Sequence, residues 1–172
     1  MKTIESIRLA CISIQKQGGS EGLLLLLPHG NVITIELTSS IEDVSINGIT
    51  ATTLTTRSIS WPVVCFTQEL KTIHNVSRNF CSTNYRFAAC INPTNPQHRF
   101  ALACDQVTSI QCNPEALLQL PTIMHTQQSP IMGTFYNDNA IHCITDADHL
   151  AKFLQQHLDA IPRYEDSACD LH

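Results

Sequence analysis

Charge is scarce in this sequence. Only 15% of the 172 residues are Asp, Glu, Lys or Arg, and the ten Lys and Arg stand singly along the chain. Without a basic patch nothing is available to neutralise a phosphate backbone, so nucleic acid is not an expected partner. Long apolar runs are missing too. Leu23–Leu27 spans five residues, whereas a bilayer span takes about 20, so no direct membrane insertion is expected. Glu5, Arg8 and Lys16 interrupt the apolar stretch a secretory leader would need, and a cytoplasmic location is the expectation. The low charge is matched by 43% hydrophobic residues, which excludes a disordered chain. The length suits one domain with a substantial core. One domain is expected over residues 1–162, followed by a mobile tail over 163–172 whose "RYEDSACDLH" has no apolar period.

Catalytic signatures are also absent. There is no G-x-S-x-G elbow, and "QGGSEG" lacks the lysine of a phosphate-binding loop. His142 and Cys143 are neighbours, but adjacent strand residues point to opposite faces. Zinc sites usually carry a close pair such as C-x₂-C or C-x₄-C. Here the nearest cysteine pairs are Cys104 with Cys112 and Cys81 with Cys90. His149 and His157 lie about 12 Å apart along one predicted helix, too far for one ion. The expectation is therefore a protein that is not an enzyme, with no metal and no cofactor.

What the chain does have is cysteine and alternation. Eight cysteines stand at 11, 65, 81, 90, 104, 112, 143 and 169, most of them inside apolar runs such as "VVCF", "FAACI", "ALACD" and "IHCIT". In a reducing compartment free cysteine there acts as a small core residue. "VITIEL" puts Ile33, Ile35 and Leu37 on one face and Thr34 and Glu36 on the other, the pattern of a half-buried strand. It follows "LLLLLPHGN", so residues 23–37 read as a hairpin. "YRFAACI" with "RFALACDQV", and "IMGTFY" with "AIHCIT", read as two more, the last turning through Asn137-Asp138-Asn139, residue types that tolerate positive φ. "SIRLACISIQ" alternates as well, and "KQGGSEG" reads as a loop. Asn113 and Pro114 can open one or two helical turns. From Asp146 a 3.6-residue stripe of Leu150, Phe153, Leu154, Leu158 and Ile161 predicts a helix capped by Asp146 or Asp148 and ended by Pro162. The fold class is all-β with a C-terminal helix, without internal repeats.

"RSISWPVVCF" holds the one tryptophan, a proline inside a β-forming run and an arginine before it. Proline cannot donate to a ladder, so the strand must be irregular at its start and open on one side. "TRSISWPVVCF" resembles the "LRGxxxPVVDL" segment of the bacterial CheW-like family of chemotaxis coupling proteins. "FALACDQVTSI" is similar to that family's "GLLVDEVxxI". "SPIMGTFYNDNAIHCITDADHL" resembles its closing "IxGxxxxxxxxIxLLDxxxL", with Gly133 and Asp146 at the Gly and Asp. The likeness runs over about residues 24–155. Ser58 replaces the family's Gly, and Cys65-Phe66 replace its "DL".

The resemblance implies a pair of small five-stranded β-barrels sharing one core. It also implies a non-enzymatic adaptor in chemotaxis-type or pilus-motility signal transduction. Such an adaptor binds a histidine kinase regulatory domain and a chemoreceptor cytoplasmic tip through protein–protein interaction. It places Arg57, with Ser58, Trp61 and Val63, in the partner-binding region, with Arg57 on an exposed turn. The rival expectation is a small-molecule or redox sensor on the same β scaffold, and a third is a structural subunit of an unrelated complex.

Overall fold

Alternating segments become strands, and their order in space is set by which residues are buried on both faces. The computed structural model describes residues 5–15, 22–124 and 129–157. The chain runs through β1 (Ile7–Ile14), β2 (Leu23–Pro28), β3 (Val32–Leu37), β4 (Ile41–Ile46), β5 (Ile49–Thr56) and β6 (Ile59–Val64). Then come α1 (Arg78–Asn84), β7 (Phe87–Ile91), β8 (Phe100–Cys104), β9 (Gln106–Cys112) and β10 (Leu118–Gln119). β11 (Gly133–Asn137), β12 (Ala140–Ile144) and α2 (Ala147–His157) complete it. The strands form two six-stranded sheets, ordered β10-β11-β12-β2-β1-β9 and β3-β7-β8-β6-β5-β4. The fold is all-β, but its sheets are open and six-stranded where closed five-stranded barrels were expected. The first sheet takes both ends of the chain, and the second is inserted between β2 and β9.

Three clusters of buried residues hold these layers. The largest lies between the sheets and joins Ile12, Ile14, Leu25 and Leu27 from one, Ala89, Ile91 and Leu102 from the other, and Leu150, Phe153 and Leu154 from α2. A second fills the inner face of the β3–β8 sheet with Ile41, Leu54, Trp61, Val63, Cys65, Cys81 and Cys90. A third, with Leu9, Cys11, Leu26 and Phe135, lies on the other face of the first sheet. This explains the unbroken leucines of β2: Leu23, Leu25 and Leu27 enter one cluster while Leu26 enters another. A central strand buried on both faces loses its alternation.

The hairpins β7–β8 and β11–β12 form as read, with Asp138 and Asn139 at φ 49° and 60°. The hairpin over 23–37 does not. β2 pairs with β1 and β12, whereas β3 pairs with β7 in the other sheet. His29-Gly30-Asn31 is a single 3₁₀ turn that carries the chain from one sheet to the next. Asn113 caps a 3₁₀ turn over Pro114–Ala116, accepting from Glu115 N at 2.9 Å. α1 is an additional helix. It buries Cys81 and no other residue, so its sequence carries no apolar stripe.

Asp146 caps α2 by accepting from His149 N at 2.8 Å, and Asn31 Oδ1 accepts from Ala147 N at 2.8 Å. Asp148 has another role. It accepts from Thr94 N and Thr94 Oγ1, both at 2.7 Å, tying the helix to the β7–β8 loop. Leu150, Phe153 and Leu154 are buried, and the Phe153 ring lies 6.0 Å from that of Phe66. Leu158, Ile161, Pro162, Cys169, the 16–21 part of the glycine loop and the tail over 163–172 lie outside the described residues.

Candidate functional site

Two residues join β5 to β6. Thr56 pairs with Ile59, and Arg57 and Ser58 take φ 51° and 63°. A two-residue loop with both residues left-handed matches the twist of the flanking strands, which is why Asn-Gly usually fills it. Asn47-Gly48 does so between β4 and β5, at φ 52° and 79°. Arg-Ser costs more, because each Cβ crowds its carbonyl by about 1–2 kcal/mol. Arg57 and Ser58 are both exposed, and among the described residues Arg57 has no ion-pair partner.

The proline in this strand follows from the same ladder. Counting outward from the closing pair Thr56–Ile59, hydrogen-bonded and open pairs alternate. Pro62, opposite Thr53, falls on an open pair, so its nitrogen faces away from β5. On that side β8 begins to pair only at Val63, opposite Ala101. The missing N–H therefore falls just before the β6–β8 ladder begins, and orphans no acceptor in it.

Trp61 and Val63 do not share the exposed surface. They are 3% and 6% exposed and point into the inner cluster beside Ile41 and Leu54. Alternation sends 61 and 63 inward, so in this structure they support the hairpin from beneath while Arg57 and Ser58 are exposed. Arg99 Cζ sits 6.0 Å from the Trp61 ring centroid, and Trp61 Nε1 is buried without a protein acceptor.

β3 supplies a surface that sequence reasoning missed. Its alternation is real but inverted. Ile33, Ile35 and Leu37 are 47%, 44% and 53% exposed, while Thr34 and Glu36 turn inward. Glu36 Oε1 accepts from Thr34 Oγ1 at 3.3 Å and from Thr56 Oγ1 at 3.1 Å. The second bond reaches from the first strand of the sheet to the fifth, so the sheet curls and the Arg57 turn is anchored through Thr56. β3 is also a terminal strand with one unpaired edge. On the other sheet, the cross-strand pair Tyr136–Ile141 and Leu118 share a second exposed apolar face. Clusters of this kind mark contact sites more often than scattered surface residues do.

Among the described residues no group of three or more His, Cys, Asp or Glu could hold a metal ion. The His149 Nδ1–Asp146 Oδ1 contact at 2.8 Å belongs to the helix cap and is exposed. A cleft lined by Ile14, Phe66, Ile73 and Tyr85 has a volume of 190 Å³, below the ~300 Å³ at which ligand pockets begin. No helix among the described residues is long and apolar enough to cross a membrane.

This arrangement of strands has a solved counterpart. The scaffolding protein TtCheW from Thermoanaerobacter tengcongensis superposes with a TM-score of 0.54 at 15% identity, over 82% of this chain and 89% of its own. The fold is CheW-like. No family model matches the sequence, and no curated protein matches it.

Gly133, placed by resemblance at the CheW-like glycine, meets a steric demand of that fold. A Cβ there would stand 2.6 Å from the Leu118 carbonyl oxygen of β10. Asp146, placed at the CheW-like aspartate, caps α2. Both residues therefore serve architecture.

Proposed function

We propose that this chain is a non-enzymatic scaffold in chemotaxis-type or pilus-motility signalling, coupling a chemoreceptor to a histidine kinase. The observation that carries the proposal is the CheW-like arrangement of both sheets over most of the chain. Two exposed apolar faces, one on each sheet, suit a protein that holds two partners at once. The Arg57 turn adds a cation on an exposed, conformationally restricted loop. The Phe66–Tyr85 cleft, at about 190 Å³, is too small to carry a small-molecule sensor reading.

The test is direct binding in solution. The purified chain is titrated by calorimetry with a histidine kinase regulatory domain, and separately with a receptor cytoplasmic hairpin, both from the same genome. Saturable binding to at least one is expected. Arg57→Ala should weaken that binding roughly thirtyfold, as truncating an interface arginine costs about 2 kcal/mol. Alanine keeps a Cβ in the same left-handed conformation, so the melting temperature should stay nearly unchanged. Absence of binding to both would overturn the reading. Full-strength binding by the variant would remove Arg57 from the interface.

A further inference from the structure

Two of the cysteines meet inside the protein. Cys65 Sγ and Cys81 Sγ lie 3.8 Å apart, both thiols are free, and both residues are fully buried. No other pair of described cysteines is in such contact. Each is held by the backbone around it. Cys65 follows β6, and its carbonyl accepts from Ile73 N at 2.9 Å. Cys81 is in the middle of α1, bonded back to Ser77 O and forward from Tyr85 N, both at 2.9 Å. Ser77 Oγ caps the helix by accepting from Phe80 N, and Asp43 Oδ1 accepts from Arg78 N at 2.9 Å.

We propose that Cys65 and Cys81 form a reversible disulfide when the protein meets a peroxide, cross-linking α1 to the end of β6. A disulfide needs its sulfurs about 2.05 Å apart, so the pair must close by somewhat under 2 Å. α1 is the element that can move. It is seven residues long and Cys81 is its one buried side chain, so a small shift or a transient opening disturbs little packing. The same opening admits a molecule as small as hydrogen peroxide.

The chemistry is assigned by the hydrogen bond between the thiols. With Cys65 as the donor in this thiol contact, the bond lowers the pKa of Cys81 against the opposing effect of burial. Cys65 is raised correspondingly. Cys81 is then the nucleophile, because the thiolate is the attacking form. Its sulfur attacks one peroxide oxygen, the O–O bond breaks, and the departing hydroxide takes up the proton that Cys81 released and leaves as water. The Cys81 sulfenic acid that remains is attacked by the Cys65 sulfur. The S–O bond breaks, the S–S bond forms, and hydroxide leaves with the Cys65 proton as a second water. Each sulfur gives one electron and the peroxide accepts two.

The experiment is a peptide map of the full chain, treated with millimolar hydrogen peroxide or with dithiothreitol, then denatured, alkylated and digested with trypsin without reductant. Cleavage after Arg57, Lys71, Arg78 and Arg86 places Cys65 in Ser58–Lys71 and Cys81 in Asn79–Arg86. After peroxide these peptides should appear joined, two hydrogens lighter than their sum, and separate again with dithiothreitol. The oxidised protein should melt several degrees higher. Cys65→Ala should abolish the joined peptide and leave Cys81 to be trapped by dimedone, while Cys104→Ala should leave the joined peptide intact. Separate, fully alkylated peptides after peroxide would overturn the proposal, as would linkage to any other cysteine or sulfinic acid at Cys81. The wild-type map decides the matter even where a variant fails to fold, and its outcome is independent of partner binding.

Discussion

At Ser58 the backbone turns through φ 63° with a Cβ attached, next to Arg57 at 51°. Glycine takes this conformation without the crowding that costs an L-residue about 1–2 kcal/mol, but it frees the unfolded chain by about 0.5–1 kcal/mol. The first effect is the larger. Ser58→Gly should therefore stabilise the fold by about 0.5 kcal/mol, read as a higher urea midpoint at unchanged slope. A lower midpoint would mean that the serine hydroxyl, or packing around it, holds the turn. The pairing of residue with conformation also shows what the sequence disclosed here. An irregular strand beginning could be read from Pro62, because a missing N–H has only a few tolerable places. The left-handed Arg-Ser turn could not, since neither residue type announces positive φ. The resemblance groups Trp61 and Val63 with Arg57, and all three stand at odd positions. What parts them is the turn, which leaves the ladder at Thr56–Ile59 and holds Arg57 in solvent while Trp61 and Val63 lie in the core.

Elements whose pattern is local were legible. The stripe of α2, the hairpins β7–β8 and β11–β12 and the Asn113 cap each depend on residues within a few positions of one another. α1 was not legible, because a helix that buries one residue has no period to detect. β3 marks the other limit. Alternation states which residues share a face but not which face turns inward. That choice is made by Ala88 and Cys90 on the neighbouring strand β7 and by Thr56 across the curl, all distant in sequence. The outcome is an edge strand with isoleucine and leucine facing out, an aggregation hazard unless something covers it. If that cover is a signalling partner, Ile35→Lys should weaken binding at least tenfold while changing stability by no more than about 0.5 kcal/mol, since the side chain is already half exposed. Calorimetry and urea titration of the same variant check both halves. Unchanged binding would move the docking face elsewhere, the Tyr136–Ile141 face being the next to test.

Across the whole molecule the two sheets cannot be treated as separate units. The first is assembled from both ends of the chain, with β12 joining β2 in parallel through Cys143–Leu25 and Ile144–Leu26. Between the sheets, Leu150 of α2 is fully buried in a cluster to which both contribute. Trp61, the one tryptophan of the chain, lies in a different cluster on the inner face of the second sheet. This separation makes a test of cooperativity. Leu150→Ala should cost about 2–5 kcal/mol, because a buried leucine leaves a cavity as well as losing its transfer energy. If the molecule unfolds as one unit, that cost must reach Trp61, which belongs to a cluster without Leu150. Trp61 fluorescence and far-UV circular dichroism should then report one coincident transition in the wild type. In Leu150→Ala both should shift to lower denaturant by the same amount. A Trp61 midpoint that stays in place while the dichroism midpoint falls would mean that the inserted sheet stands without the cluster between the sheets. The curl fastened by Glu36 and Thr56 would then be sufficient to hold the Arg57 turn on its own.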